Sequence, residues 1–114
     1  MKRTIITLSV LLVLAIELGV TAVRAEPRNG REIFESMKCT KCHHPEKKVN
    51  GPALTTIVKA YENRENLLKF FRGETDPIVE PERYITMKPR RRKIGKLPEE
   101  EKKALADYFF GFQQ

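Results

Sequence analysis

The chain has no tryptophan, two cysteines, two histidines and three methionines in 114 residues. Two cysteines cannot make a framework of several disulfides, so a small secreted scaffold stapled by many bridges is excluded. A zinc site built on them would need two more ligands at suitable spacing, and His44 is the only spare candidate nearby. Strand-like alternation, internal repeats and low-complexity tracts are also missing. The βαβ surroundings of a thioredoxin-type dithiol are therefore absent, and the chain reads as all-α. Acidic residues are outnumbered, with 15 Asp and Glu against 22 Lys and Arg, a net charge of +7 and a pI of 9.6. Only one long apolar run exists, and it lies at the N-terminus.

Both cysteines and one histidine fall in the pentapeptide Cys39-Thr40-Lys41-Cys42-His43. C-x-x-C-H is the attachment signature of c-type haem. Two thiols three residues apart on a helical turn can each add across a vinyl group of one porphyrin. The histidine directly after the second thiol is then held beneath the iron as an axial ligand. Two unreacted cysteines would be an oxidation liability in an exported protein.

Export is what the N-terminus indicates. Met1-Lys2-Arg3 is a short basic region, Ile5 to Ile16 is apolar but for Thr7 and Ser9, and Val23-Arg24-Ala25 suits a signal peptidase. Residues 1–25 therefore read as a secretory signal peptide cleaved after Ala25, with residues 26–114 as one mature domain. Cleavage after Ala22 and retention as an inner-membrane anchor are the alternatives. Glu17 opposes an anchor, because a carboxylate at that depth costs about 2.5–3.5 kcal/mol on insertion scales. The expected location is the periplasm, which disfavours nucleic acid as a partner despite the basic pI. Loss of residues 1–25 takes Lys plus Arg from 22 to 19 and Asp plus Glu from 15 to 14, for a mature net charge of +5. A domain this short buries little apolar surface, and a covalently held porphyrin would supply much of its core.

Periodicity predicts four helices. From Arg31 to Lys38, with Asn29 as N-cap, Ile33, Phe34 and Met37 share a face. A short helix runs from Leu54 to Tyr61, and another from Glu62 to Phe71 stops at Gly73. In the last segment, Leu97 to Phe112, Leu105, Tyr108, Phe109 and Phe112 make an amphipathic stripe. Pro98 opens that helix, and Glu99, Glu100 and Glu101 favour its positive dipole end. Gly73 to Pro89 contains Pro77, Pro81 and Pro89 and is expected to be an extended loop.

In this order the pieces resemble a class I monohaem cytochrome c. Gly30 and Phe34 lead into Cys39, Gly51-Pro52-Ala53-Leu54 resembles the loop after the haem histidine, and Met87 ahead of Pro89 resembles the distal ligand region. Here Lys88 intervenes where the family often has Met-Pro. The 44 positions from His43 to Met87 suit the short bacterial members. The resemblance implies a small fold wrapped around one haem c, with the first and last helices crossing near Gly30. It implies Met87 as the second axial ligand opposite His43. Met1 leaves with the signal, and Met37 is too close to Cys39 to reach the opposite face. It also implies that the Pro52 carbonyl accepts a hydrogen bond from the His43 ring. His44 points elsewhere and reads as a surface residue.

The function so implied is one-electron transfer by a monomeric carrier with redox protein partners, not catalysis. Arg90-Arg91-Arg92-Lys93, with Lys88 and Lys96, would steer the haem edge toward an acidic partner or an anionic membrane surface. Two other readings stay open. One is a cytochrome subunit of a multi-subunit oxidoreductase, such as a sulfur-oxidising complex. The other is a haem enzyme or gas sensor with a labile distal methionine.

Overall fold

The computed structural model describes residues 26–113, so the expected signal segment lies outside the described residues. Five α-helices and two 3₁₀ turns form the domain, with no strand among the described residues. The helices are α1 (Gly30–Ser36), α2 (Leu54–Tyr61), α3 (Arg64–Arg72), α4 (Tyr84–Gly95) and α5 (Glu99–Phe110). The 3₁₀ turns are Cys39–Lys41 and Pro81–Arg83.

Helix α1 starts at Asn29 because that side chain accepts from the Glu32 amide (2.9 Å) while the Glu32 carboxylate accepts from the Asn29 amide (3.3 Å). This reciprocal cap satisfies two amides that the first turn would leave unpaired. Ile33 and Phe34 are buried, and Phe34 packs its ring 5.2 Å from Tyr108 and 5.8 Å from Phe109 of α5. At the crossing Gly30 admits no side chain. A Cβ there would stand 2.6 Å from Tyr108 Cβ and collide with the Ala104 carbonyl. The α1–α5 contact expected from sequence is thus a close helix crossing that leaves no room for a side chain at Gly30.

Helix α3 begins two residues later than predicted. Glu62 takes a positive φ (70°) with ψ −41° in a tight turn that ends α2, and the Asn63 side chain caps α3 by accepting from the Asn66 amide at 2.9 Å. Its end is as expected. Gly73 has φ 81°, and its amide and that of Glu74 return to the Phe70 and Lys69 carbonyls. Leu67, Leu68, Phe70 and Phe71 are buried, with Phe71 5.7 Å from Phe109.

The expected loop from Gly73 to Pro89 is extended only in its first part. Pro81 opens a 3₁₀ turn, and Met87, Lys88 and Pro89 lie inside α4. A proline at the sixth position removes one helical hydrogen bond. The helix persists because Ile94 anchors its far end in the core and the Tyr84 hydroxyl bonds Arg91 Nε at 2.6 Å. Its last turn also carries Arg92 and Lys93 at the favourable negative dipole end.

Helix α5 starts at Glu99, with the Pro98 carbonyl accepting from the Glu101 and Lys102 amides. Glu101 is buried rather than solvated. Its carboxylate accepts from the Arg28 amide (2.9 Å), from Nε (3.2 Å) and from the terminal guanidinium nitrogen (3.0 Å). Arg72 holds Glu99 in the same turn.

Two outcomes follow from this packing. Gly30→Ala should lower stability by about 1–3 kcal/mol, since neither Ala104 backbone nor Tyr108 Cβ can yield cheaply. A lowered denaturant midpoint at unchanged slope checks it. Hydrogen bonds from Arg28 hold the Glu101 carboxyl below the usual carboxylate range. A depressed folded-state value contributes stability above the unfolded value, about 4.3, and loses it as pH falls through the folded value. Wild type should therefore exceed Glu101→Gln in stability at pH 7 and lose that advantage as the pH falls below the usual carboxylate range. An advantage that is constant with pH contradicts the assignment.

Candidate functional site

A left-handed residue and short-range hydrogen bonds build the segment after α1. Lys38 turns left-handed (φ 58°), which ends α1 and starts the 3₁₀ turn at Cys39. The Cys42 and His43 amides both donate to the Cys39 carbonyl, at 3.0 and 2.9 Å, so the pentapeptide is one tight turn. The following loop folds back onto it. The Gly51 amide donates to the Cys42 carbonyl at 2.6 Å, and Asn50 Nδ2 to the Lys41 carbonyl at 3.0 Å.

That return stroke places His43 Nδ1 2.7 Å from the Pro52 carbonyl. A carbonyl can only accept, so Nδ1 carries the proton and Nε2 keeps its lone pair. Gly51 is buried against the ring, and a Cβ there would stand 2.9 Å from His43 Cε1 and 2.8 Å from the Cys42 carbonyl. His44 is exposed, and its Nδ1 accepts from the Glu46 and Lys47 amides at 3.0 and 3.1 Å. It shapes the loop and does not line the cleft.

A cleft of about 270 Å³ opens beside this turn. Cys39, Cys42, His43, Pro52 and Met87 all line it, so the fold brings these five residues together around one cleft. Cys39 is buried in the wall, Cys42 is exposed, and His43 and Met87 are half-buried. Tyr61, Phe70 and Phe71 supply an aromatic wall. Burial pushes the Tyr61 hydroxyl up to about 12 and the Cys39 thiol up to about 11, so both are neutral near pH 7. The charge of Arg90 pulls the Cys39 thiol the other way.

Sequence reasoning missed two charged residues at this cleft, Glu80 and Arg83. Glu80 has φ 46° and bridges the two loops at its rim. Its carboxylate pairs with Lys48 Nζ at 2.6 Å and Arg83 at 3.5 Å, while Arg83 also reaches the Asn50 carbonyl at 2.7 Å. Lys48 and then Arg83 hold the Glu80 carboxyl below its ordinary value. Arg90, which the sequence groups with its neighbours as one docking surface, instead lines the cleft from α4. No local pattern in the chain marks Glu80 or Arg83, or sets Arg90 apart from the rest of its run.

A c-type haem asks for two thiols, an imidazole nitrogen with a free lone pair and an apolar slot. The cleft offers the thiols of Cys39 and Cys42, Nε2 of His43 and the aromatic wall, with the Met87 thioether as a further donor. The residues present fit that group. Among the described residues no group of three or more histidine, cysteine and carboxylate side chains is placed to hold a metal ion. No helix among them is long and apolar enough to cross a membrane.

The family model for cytochrome c matches residues 27–109, while no curated protein matches the chain. With the match running from before α1 almost to the end of α5 and taking in the whole cleft, the chain belongs to the cytochrome c family, whose members carry covalently attached haem c and transfer electrons.

Proposed function

We propose that the chain is an exported, monomeric one-electron carrier, with haem attached through Cys39 and Cys42 and its iron bound by His43 and Met87. The observation that carries this reading is the convergence of the four side chains on one apolar cleft, with the His43 ring tied to the Pro52 carbonyl. When bound, the haem supplies one-electron chemistry between ferrous and ferric iron. The chain's own groups do the rest. The Nδ1–H bond to Pro52 fixes the imidazole plane and raises the basicity of Nε2. The Met87 thioether favours the ferrous state. Tyr61, Phe70 and Phe71 keep water from the ring. Were His43 and Met87 both to hold the iron, no coordination position would remain for a substrate, which supports a carrier over an enzyme.

The basic run after Met87 divides by direction. Arg91 is bonded to Tyr84 and Arg90 lines the cleft, while Arg92, Lys93 and Lys96 are exposed and Lys88 is half-exposed. These last four have no ion-pair partner among the described residues. They form the surface we propose for docking an acidic redox protein in a small, transient contact. Export rests on the sequence of residues 1–25.

Met87→Ala should abolish the long-wavelength sulfur-to-iron band of the ferric protein and make the ferrous protein bind carbon monoxide. A wild-type protein that already lacks the band and binds carbon monoxide readily would refute the ligand pair. Reduction by an acidic partner should slow about tenfold between roughly 0.01 and 0.5 M salt, and less so in Arg92→Gln/Lys93→Gln. A rate indifferent to salt would remove the steering role. Faster reaction only on anionic vesicles would assign the surface to a membrane instead.

A further inference from the structure

Three arginines among the described residues are half-buried. Arg72 pairs with Glu99, and Arg91 bonds the Tyr84 hydroxyl and packs over Gly73. Arg90 has no hydrogen bond or ion pair among the described residues. Arg90 is thus the one half-buried arginine described whose charge no hydrogen bond or ion pair offsets, and arginines covered by the fold are usually paired. Arg92, one position on, is exposed and solvated.

Arg90 stands three residues after Met87 on α4, so the two share a helix face, and both line the cleft. Its charge also reaches the buried Cys39 thiol. That position limits what the cofactor can offer it. A porphyrin bonded through its two vinyl-derived carbons presents that edge to Cys39 and Cys42 and carries both propionates on the opposite edge. A guanidinium near Cys39 is therefore offered no carboxylate by the haem.

We propose that Arg90 is a fixed, unneutralised cation facing the haem from the Met87 side, and that it sets the reduction potential by stabilising the reduced state. On reduction one electron arrives from the redox partner and the charge at the iron centre falls by one. No proton moves and no bond is made or broken. A positive charge held in an apolar cleft favours the less positive state, with little screening by salt. The inference rests on haem attachment at Cys39 and ligation by Met87.

The test is the midpoint potential of the haem-loaded protein, measured by spectroelectrochemistry in wild type, Arg90→Gln, Arg90→Lys and Arg92→Gln. Arg90→Gln should be harder to reduce by about tenfold in the equilibrium constant, about 59 mV for one electron. Arg90→Lys should retain most of the wild-type value, and Arg92→Gln should stay within about twofold of it, because water screens its charge. If Arg90→Gln does not accumulate as holoprotein, Arg90→Met removes the same charge at similar length. An unchanged potential in the uncharged variant, an equal fall in Arg90→Lys, or an equal fall in Arg92→Gln each overturns the proposal. Wild type without covalent haem, or without the sulfur-to-iron band, overturns the ligation reading along with it. Unchanged potential with the band intact overturns the Arg90 assignment alone.

Discussion

The crossing of α1 over α5 is the contact on which the rest of the molecule depends. Gly30 lets the two backbones approach until the Ala104 carbonyl and Tyr108 Cβ occupy the space a side chain would need. Phe34 then interleaves with Tyr108 and Phe109, and Phe109 in turn receives Phe71 of α3. Position passes outward from there. The end of α1 fixes the Cys39 turn, α5 carries α3, and α3 carries α4 with Met87. Arg28 secures the same crossing from outside by giving Glu101 three hydrogen bonds.

The two sides of the cleft are built differently. His43 is set by a closed ring of local contacts: the Cys39 carbonyl accepts from its amide, Pro52 accepts from its ring, and Gly51 leaves room for both. Met87 is set by a helix whose own anchors, Tyr84 with Arg91 and the buried Ile94, lie on either side of it. Glu80 ties the two sides together at the rim through Lys48 and Arg83. Charge is sorted by the same architecture. The basic segment of α4 turns Arg90 inward, binds Arg91 to a hydroxyl and leaves Arg92 and Lys93 to solvent.

Features written in neighbouring residues were legible in the sequence. Asn29 and Glu32 are three apart, so α1 and its start could be read, and Gly73 marked the end of α3. The Cys39 to His43 pentapeptide named its chemistry by spacing alone. Helix α4 was hidden because Pro77, Pro81 and Pro89 read as breakers and its residues show no apolar stripe; Ile94 alone is buried. The start of α3 slipped because Glu62 carries a positive φ that no side-chain pattern reveals. Glu101 looked like a solvated dipole partner because Arg28 lies 73 residues away in sequence. The split between Arg90, Arg91 and Arg92 depends on tertiary neighbours, and a run of cations contains no trace of it.

Pro89 gives the distal side a mechanical character of its own. Lacking an amide hydrogen, it leaves the Ile85 carbonyl without its helical donor, and Ile85 is also the most exposed large apolar residue described, at 71%. The turn of α4 that carries Met87 therefore holds one backbone hydrogen bond fewer than a regular helix, whereas His43 is held through both its amide and its ring. The histidine side acts as a rigid mount and the methionine side as a compliant one. Strain from a change in the size or charge of whatever the cleft holds would be taken up on the thioether side first.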